Sequence, residues 1–265
     1  MLKRFSQSLC IVLDAGSISL VLQQGWLRPT ATLLSRKSWN LPSRPGDGLS
    51  EVLNALLSDA SLRHLPTRVV LSDVLVRTWR VQSPRNATRI QDCEASVAMR
   101  FHSIFGESPD DWLLSFVPEA SHAFMAWAVR RSLVNDLSQV LRNHQLHLLC
   151  IEPEFIVLWN HWQPRLPANA WLGIYTSDSL VLGVVHAGRL EGVRRLPLAA
   201  LAHQDAVWLS QSVQREADRL DLPAPAAMGL CGSVPKPWLA PSADVLAPTV
   251  LGIHANALSL LGVTA

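Results

Sequence analysis

The sequence predicts an α/β protein of two lobes that repeat the same order of secondary-structure elements. Three observations support this fold class. Both halves of the chain open with short apolar strands separated by turns, both continue with an amphipathic helix and a buried strand, and an additional α/β segment separates them. Two βββαβα units indicate a duplicated architecture. The predicted lobes span 1–163 and 168–265, and the inserted subdomain lies within the first lobe at about 73–150.

The first lobe begins with a predicted meander of three strands, at 9–14, 18–23 and 30–35. Apolar residues then recur at helical spacing from Leu49 to Leu57, and Asp47 is available as an N-cap. The apolar run at 68–72 predicts a buried strand. The first half therefore has the order βββαβ.

The second lobe repeats this order, with predicted strands at 171–176, 180–186 and 189–196. A helix is predicted over 198–220, with Leu209, Val213, Ala217 and Leu220 on its buried face. A buried strand follows at 226–232. The stretch 250–263 is apolar on all sides, which predicts a buried helix that packs back toward the first lobe.

The segment between the halves contains its own strands and helices. Strands are predicted at 75–81, 112–117, 123–129 and 148–151. The pattern from Thr88 to Gln91 resembles a capping box and opens a helix. Its predicted buried face consists of Ile90, Cys93, Val97, Phe101 and Ile104. A second helix at 132–143 has Leu133, Leu137, Val140 and Leu141 inward, and a third begins after Glu152 and Pro153.

Composition excludes several classes of protein. Hydrophobic residues make up 49% of the chain and charged residues 17%, which is typical of a globular protein. The formal net charge of +2 is spread along the sequence, so no basic run could follow a phosphate backbone and nucleic acid is not an expected partner. No apolar run approaches the ~20 residues of a membrane-spanning helix. The N-terminal apolar run, 9–13, is too short for a signal peptide.

The cysteines indicate a reducing compartment. Cys10, Cys93, Cys150 and Cys231 lie far apart in apolar surroundings, without a Cys-x-x-Cys motif. We therefore expect reduced, buried thiols in a cytoplasmic protein.

Four stretches carry a resemblance to a known family. LCIVLDAGSISLVLQQG has the pattern strand, Gly-Ser turn, strand, and VVLSDVLVRTWRVQSP has the pattern of the entry into an extra subdomain. ASVAMRFHSIFGESPDDWLLSF and HAFMAWAVRRSLVNDLSQVLRNHQLHLLCIEPEFIVLWN match the subdomain itself and the acid-led helix after it. The chain thus resembles the actin, Hsp70 and sugar-kinase superfamily, and within it the actin-like PilM and GspL families of type IV pilus and type II secretion assembly platforms. The resemblance covers nearly the whole chain and implies the actin-like, ribonuclease H-like fold.

The resemblance also implies where a nucleotide would bind. In that superfamily, glycine-rich hairpin turns in both lobes hold the phosphates, since a side chain would keep a phosphate away from the backbone N–H groups. The first turn keeps Asp14, Gly16, Ser17 and Ser19. In the second lobe we expect Gly173 where the superfamily has aspartate and Tyr175 where it has glycine. Gly232 and Ser233 retain half of the adenosine-binding turn. These residues imply weak ATP binding or none, and no useful hydrolysis.

Structural explanations compete with these functional ones. Asp14 and Gly16 equally fit a tight turn that needs a positive φ at glycine. The spacing of His144, His147 and Cys150 is metal-like, but the three straddle a helix end and a strand, so no metal site is predicted. Glu152 and Glu154 lie where sugar kinases have a general base, but acids are also favoured at a helix N-terminus, which is the preferred explanation.

The leading hypothesis is a non-enzymatic cytoplasmic scaffold. The resemblance implies that it is peripheral to the inner membrane and binds the cytoplasmic tail of a membrane partner, or a hexameric assembly ATPase. Arg77, Trp79, Phe101 and Trp112 in the inserted subdomain are the predicted partner contacts, because exposed aromatic and arginine side chains are frequent binding hot spots. One rival is an ATPase or kinase of the same superfamily. The other is an unrelated α/β binding module in which the two halves have different sheet orders.

Overall fold

The computed structural model describes residues 7–25, 30–39, 48–84, 89–119, 122–205, 207–239, 246–252 and 256–261. In chain order, the described strands are β1 (Gln7–Leu13), β2 (Ser17–Gln24), β3 (Thr30–Ser38), β4 (Pro66–Leu71), β5 (Val76–Val81), β6 (Trp112–Phe116), β7 (Phe124–Arg130), β8 (His147–Pro153), β9 (Trp171–Tyr175), β10 (Ser179–His186), β11 (Arg189–Pro197), β12 (Ala227–Cys231) and β13 (Ala247–Gly252). The described α-helices are α1 (Leu49–Leu56), α2 (Ile90–Phe105), α3 (Arg131–Asn143), α4 (Glu154–Trp162), α5 (Trp208–Leu220) and α6 (Ala257–Leu260).

The two large sheets have the same topology, which confirms the predicted duplication. Their strand orders are β3-β2-β1-β4-β8 and β11-β10-β9-β12-β13. In each sheet an antiparallel meander is continued by two parallel strands. Because the orders match, the rival prediction of an unrelated module with mismatched halves is wrong. A third sheet, β5-β7-β6, belongs to the segment between the halves.

The predicted helix over 198–220 is too long. Residues Ala200–His203 form a 3₁₀ turn, and α5 begins only at Trp208. Tertiary hydrogen bonds hold the preceding segment outside the helix: Leu198 N donates to Asp178 O at 2.9 Å, and Trp238 Nε1 donates to Ala202 O at 2.9 Å.

The predicted helix over 250–263 is wrong in its first part. Residues Ala247–Gly252 form β13, which pairs in parallel with β12, and among the described residues of this stretch only Ala257–Leu260 are helical. A short apolar run does not distinguish a buried strand from a buried helix by periodicity. The β-branched pair Thr249 and Val250 favours the strand.

Two helix starts differ from the prediction. Asp47, the predicted N-cap of α1, lies outside the described residues, and the residue at that cap position is Gly48, with φ 74°. Thr88 also lies outside them. At α2 the capping acid is Asp92, whose carboxylate accepts from Arg89 N at 3.2 Å, and not Gln91.

The buried face of α2 is narrower than predicted. Cys93, Val97 and Phe101 are buried, whereas Ile90 is 52% exposed and Ile104 is 44% exposed. The predicted face of α3 is confirmed, since Leu133, Leu137, Val140 and Leu141 are all buried.

The helices that follow each large sheet cross over to the other lobe. Helix α4 follows β8 of the first sheet, yet Phe155, Leu158 and Trp162 pack with Leu172, Ile174 and Val181 of the second sheet. Conversely, Ala257 and Leu258 of α6 pack with Cys10, Val12, Val21 and Val70 of the first. The two helices also contact each other. Each lobe therefore supplies part of the core of the other.

A glycine in β10 permits the close approach of α4. A Cβ built on Gly183 would lie 2.5 Å from Phe155 Cζ, a distance that requires the helix or the ring to move.

We expect Gly183→Ala to lower the free energy of unfolding by about 1–3 kcal/mol, because it overpacks this contact. Chemical denaturation monitored by tryptophan fluorescence measures the loss. Gly16→Ala is the matched control, since a Cβ there would have nothing within 4 Å. Equal stabilities of the two variants would contradict this account of Gly183.

Candidate functional site

The two hairpin turns face each other across a cavity of about 340 Å³ between the lobes. Asp14 and Ala15 contribute from the β1–β2 turn, and residues 176–179 contribute from the β9–β10 turn. The crossing helices, the segment after β4 and the strands of the second meander complete the lining: Ser72, Asp73, Val74, Glu154, Leu158, Ile174, Val181, Arg195 and Asn256. This cavity lies between the two turns that the resemblance assigns to the phosphates of a nucleotide.

The first turn is a tight hairpin. Asp14 N donates to Ser17 O at 2.9 Å, and the Asp14 carboxylate accepts from Ala15 N at 2.7 Å. Gly16 does not have a positive φ, so the expectation of a left-handed glycine in this turn is wrong. An added Cβ at Gly16 would meet no atom within 4 Å. What glycine provides here is open space.

The other predicted nucleotide-binding residues are spread over more than this cavity. Ser17 is buried, and its Oγ accepts from Arg36 Nε at 3.1 Å. Ser19 is buried within β2. Gly232 adopts φ 104° directly after β12, and its N–H donates to Gly252 O at 2.9 Å. Of the six predicted residues, only Asp14 is among the described lining residues; Gly16, Ser17, Ser19, Gly232 and Ser233 are not.

Strand register corrects the predicted alignment of the second turn. Leu13 pairs with Ile18 in the first lobe, and Tyr175 pairs with Leu180 in the second. Thr176 therefore corresponds to Asp14, and Asp178 corresponds to Gly16. Gly173 and Tyr175, which we expected in the turn, lie within β9, where a Cβ on Gly173 would come 2.4 Å from Met228 Cε.

The second turn carries a carboxylate, that of Asp178, at the position that corresponds to Gly16. The Asp178 carboxylate accepts from Thr176 Oγ1 at 2.7 Å and from Arg195 Nη2 at 2.7 Å, and these contacts hold its pKa below the usual range. Arg195 Nε also donates to Ser179 Oγ at 3.2 Å. The Arg195–Ser179 contact repeats Arg36–Ser17 of the first lobe. The two turns differ at one corresponding position. The first turn has Gly16, which has no side chain, and the second has Asp178, which has a negatively charged one.

Two further carboxyl groups join the crossing helices. Asp73 Oδ1 accepts from Phe155 N at 3.2 Å at the start of α4, and Glu154 Oε1 accepts from Ala257 N at 2.8 Å at the start of α6. Both residues are half-buried. Loss of surrounding water raises the pKa of Asp73 to about 6 and that of Glu154 to about 8, and nearby Asp73 and Asp14 contribute to the shift at Glu154. These contacts support a capping role for Glu154 over a general base.

The cavity is therefore acidic. Its described lining carries the carboxyl groups of Asp14, Asp73, Glu154 and Asp178, and the guanidinium of Arg195 is already bound to Asp178. Because the pKa of Glu154 is about 8, this group is uncharged at neutral pH, and the repulsion of a polyphosphate would come from the other carboxylates of the lining. The sequence did not indicate Arg195, because its contact with Asp178 depends on the register of the strands. It did not indicate Asp73 either, because Asp73 contacts Phe155, which is 82 residues away in the chain.

The predicted partner contacts are mostly buried, which corrects that prediction. Trp79 and Trp112 are each 4% exposed and Phe101 is fully buried, because these rings form the core between α2 and the small sheet. Phe101 lies 5.2 Å from Trp79 and 5.4 Å from Trp112 between ring centroids. Only Arg77 reaches the surface, where it pairs with Glu107 at 3.7 Å.

The cysteines and the metal-like trio have structural surroundings. The four cysteines are free thiols, and Cys150 is only partly buried. His144 Nε2 hydrogen-bonds Asn54 Oδ1 at 2.9 Å, while Cys150 Sγ donates to Glu152. Within the described residues, no group of three or more His, Cys, Asp or Glu side chains could hold a metal ion. Among the described helices, none combines the length and apolar character needed to cross a bilayer.

Comparison with solved structures identifies the fold. The chain is similar to a PilM–PilN type IV pilus biogenesis complex, with TM-score 0.63, 15% identity, and coverage of 92% of this chain and 90% of that chain. The cytoplasmic domain of EpsL, an inner-membrane component of the Vibrio cholerae type II secretion system, gives TM-score 0.58 and 11% identity over 97% of this chain and 92% of that one. A Bacteroides thetaiotaomicron protein with an actin-like ATPase fold and unknown function gives TM-score 0.63 and 10% identity over 99% of this chain and 98% of that one.

These similarities confirm the predicted actin-like fold. No protein-family model matches the chain, and no curated protein matches it in sequence.

Proposed function

We propose that this protein is a non-enzymatic, cytoplasmic scaffold of the PilM/GspL type, which serves an inner-membrane assembly platform of a type IV pilus or type II secretion system. The observation that carries the proposal is the second hairpin turn, in which Asp178, bound to Arg195, stands at the position that corresponds to Gly16 of the first turn. The similarity to PilM and to the EpsL cytoplasmic domain along most of the chain supports the type of assembly.

The cavity chemistry supports a scaffold over an ATPase or kinase. A nucleotide phosphate at the second turn would meet the carboxylate of Asp178, which already holds Arg195, and the carboxylates of Asp14 and Asp73 also line the cavity. Glu154, in the position where sugar kinases have a base, is engaged at the start of α6.

We expect no binding heat when the purified protein is titrated calorimetrically with MgATP or MgADP at millimolar concentration. Gly16→Trp, which fills the open space at the first turn, is the control and should behave identically. Binding that disappears in Gly16→Trp, together with MgATP turnover, would instead favour the enzymatic alternative.

The scaffold role is tested with partner tails. Synthetic peptides covering the cytoplasmic segments of the inner-membrane pilus and secretion proteins of the same genome are titrated by fluorescence anisotropy, and the purified assembly ATPase is tested in parallel. At least one tail, or the ATPase, should bind, and scrambled peptides of the same composition should not. Failure of every candidate to bind would overturn the proposed function.

A further inference from the structure

The inserted subdomain is attached in different ways to the two lobes. Apolar packing joins it to the first lobe, since Val76 of β5 and Trp127 and Val129 of β7 pack with the core of that lobe. It meets the second lobe along β11, which contacts β5 and β7. None of the apolar clusters formed by the described residues combines side chains of the subdomain with side chains of the second lobe. The junction with the second lobe is therefore polar.

Two ion pairs of opposite polarity cross this junction. Arg80 Nη2 of β5 lies 2.6 Å from Glu191 Oε2 of β11. Glu119, which follows β6, pairs with Arg189 at the start of β11. The subdomain thus supplies the arginine of one pair and the glutamate of the other. We refer to these two pairs as the ion-pair latch.

A β-bulge brings Glu191 to Arg80. The register between β10 and β11 shifts after Val184, so Glu191 is an extra residue of β11 without a partner on β10. Bulges redirect a side chain at the edge of a sheet. Strand β11 is the terminal strand of its sheet, and here the redirected side chain is the one that contacts the subdomain.

The rest of the junction is open. A groove of about 840 Å³ and a cavity of about 410 Å³ both border Thr78 and Val193, which are joined by a hydrogen bond of 3.5 Å from Thr78 Oγ1 to Val193 O. The smaller cavity also shares Asp73 and Arg195 with the interlobe cavity. Separation of β5 from β11 would therefore join the three spaces into one cleft that leads from the surface to the hairpin turns.

The latch holds the closed arrangement only weakly. Glu191 is 8% exposed, and the free energy needed to remove its carboxylate from water offsets much of its attraction to Arg80. The side chains of Glu119 and Arg189 are 40% and 41% exposed, so water and salt screen their attraction. Opening returns all four groups to water and exposes no shared apolar core. Closed and open arrangements consequently differ by a small free energy.

The crossing helices remain as the connection when the latch is open. Helix α4 packs in the core of the second lobe and α6 packs against the first sheet, and neither contact involves the latch. Glu154 and Asn256, at the starts of these helices, line the interlobe cavity. The second lobe can therefore rotate about α4 and α6, which is hinge motion around a cleft.

We propose that the two ion pairs form a releasable latch between the inserted subdomain and the second lobe, which controls access to the interlobe cavity. When the latch separates, the second lobe rotates about α4 and α6, and the cavity opens to solvent between β5 and β11. The inference depends only on contacts within this chain. It goes beyond the proposed scaffold function, and its test uses no partner, so either can fail without the other.

The first test measures the distance across the groove with spin labels. Labels are attached at Met99→Cys on α2 and Gln211→Cys on α5, two exposed positions, after the partly buried native thiol is removed by Cys150→Ser. Double electron–electron resonance then gives the distribution of distances between the two labels. The unchanged latch should give mainly the short distance of the closed structure, and 1 M NaCl should raise the longer-distance population at least twofold, because salt screens the exposed pair.

Charge reversal identifies the residues of the latch. Arg80→Glu places two carboxylates against each other and should raise the longer-distance population at least fivefold. The double variant Arg80→Glu/Glu191→Arg should restore the original distribution. Arg194→Glu is the matched control and should change nothing, because Arg194 also lies on β11 but its partner, Glu216, belongs to the same lobe.

The exposed pair gives a second, independent reversal. Glu119→Arg should raise the longer-distance population at least twofold, and the added change Arg189→Glu should reverse this effect. Both side chains are well exposed, so these variants fold even if Arg80→Glu does not. A distribution that is the same in the parent, Arg80→Glu and Glu119→Arg would overturn the latch. An equal shift in Arg194→Glu would also overturn it, because the shift would then reflect general disruption of β11.

Access to the cavity is measured with a thiol placed in its wall. Val181 is 5% exposed and lines both the interlobe cavity and the intermediate one. Val181→Cys should react with a water-soluble thiol reagent at least tenfold faster in the Arg80→Glu background, and the added change Glu191→Arg should return the rate to its original value. Leu133→Cys, in the core of the first lobe, is the control and should keep its rate. A longer label distance without faster reaction at Val181→Cys would overturn the control of access.

Discussion

Replacing Phe155 by alanine is expected to lower the free energy of unfolding by about 3–5 kcal/mol, which is the range for removing a large buried aromatic side chain. The ring is fully buried and belongs to the core that α4 shares with the second large sheet. Its removal leaves a cavity at the point where the first lobe's chain enters the second lobe's core. Urea denaturation, followed separately by circular dichroism and tryptophan fluorescence, measures the loss.

A double-mutant cycle tests the specific contact. Since Gly183 and Phe155 are in close contact, Phe155→Ala should relieve the overpacking caused by Gly183→Ala, so the double variant should lose about 0.5–3 kcal/mol less than the sum of the single losses. Leu133→Ala, in the core of the first lobe, is the control and should be additive with Gly183→Ala. Additivity in both pairs would contradict the proposed contact.

The second large effect is on the pH dependence of stability, through Glu154. The pKa of this group is about 8 in the folded protein, above the ordinary value of 4.5. Between these values the folded state binds a proton that the unfolded state releases, so the stabilisation is complete below the lower pKa and is lost as the pH rises toward 8. The pKa of Asp73 is raised to about 6, so this group also makes stability fall as the pH rises, over a lower and narrower pH range.

We therefore expect stability to fall between pH 5 and 8 with a contribution from Glu154 of at most about 1.4 kcal/mol per pH unit. The open cavity leaves some solvent at the group, which narrows the pH range over which this slope applies. Glu154→Gln keeps an oxygen that can accept from Ala257 N but does not titrate, so it should flatten the dependence and be more stable than the original protein at pH 8.5. Glu51→Gln, on the exposed face of α1, controls for the loss of one negative charge. Parallel pH profiles for the protein and Glu154→Gln would contradict this assignment.

Local sequence patterns were sufficient to predict most of the fold. The strands of both meanders follow alternating or continuous apolar runs bounded by turn residues, and the four buried residues of α3 follow from helical spacing alone. Strand β13 was missed because six residues of mixed Pro, Thr and apolar character obtain their conformation from pairing with β12. The exposure of Ile90 and Ile104, at the two ends of α2, was not predicted. Periodicity indicates which face of a helix is apolar, but it does not indicate whether the packed elements cover that face as far as the helix ends.

The site was only partly accessible to sequence reasoning. Asp14 could be placed in the cavity because it directly follows a strand in a short hairpin. The correspondence of Asp178 with Gly16 could not be read from the sequence, since it requires the register of β9 against β10. The tryptophans were misassigned for another reason: residue type marks both hot spots and cores, and the packing of Trp79 and Trp112 around Phe101 appears only in three dimensions.

The exchange of helices between lobes has a consequence for protein synthesis. Residues Cys10, Val12, Val21 and Val70 belong to strands made early, but Ala257 and Leu258, which pack with them, are added only after the whole second sheet has been translated. That face of the first sheet consequently lacks these two residues while more than 180 intervening positions emerge from the ribosome. An apolar strand surface left open during elongation is a binding site for chaperones and a site of aggregation. The order of translation thus makes α6 the element that closes the first lobe.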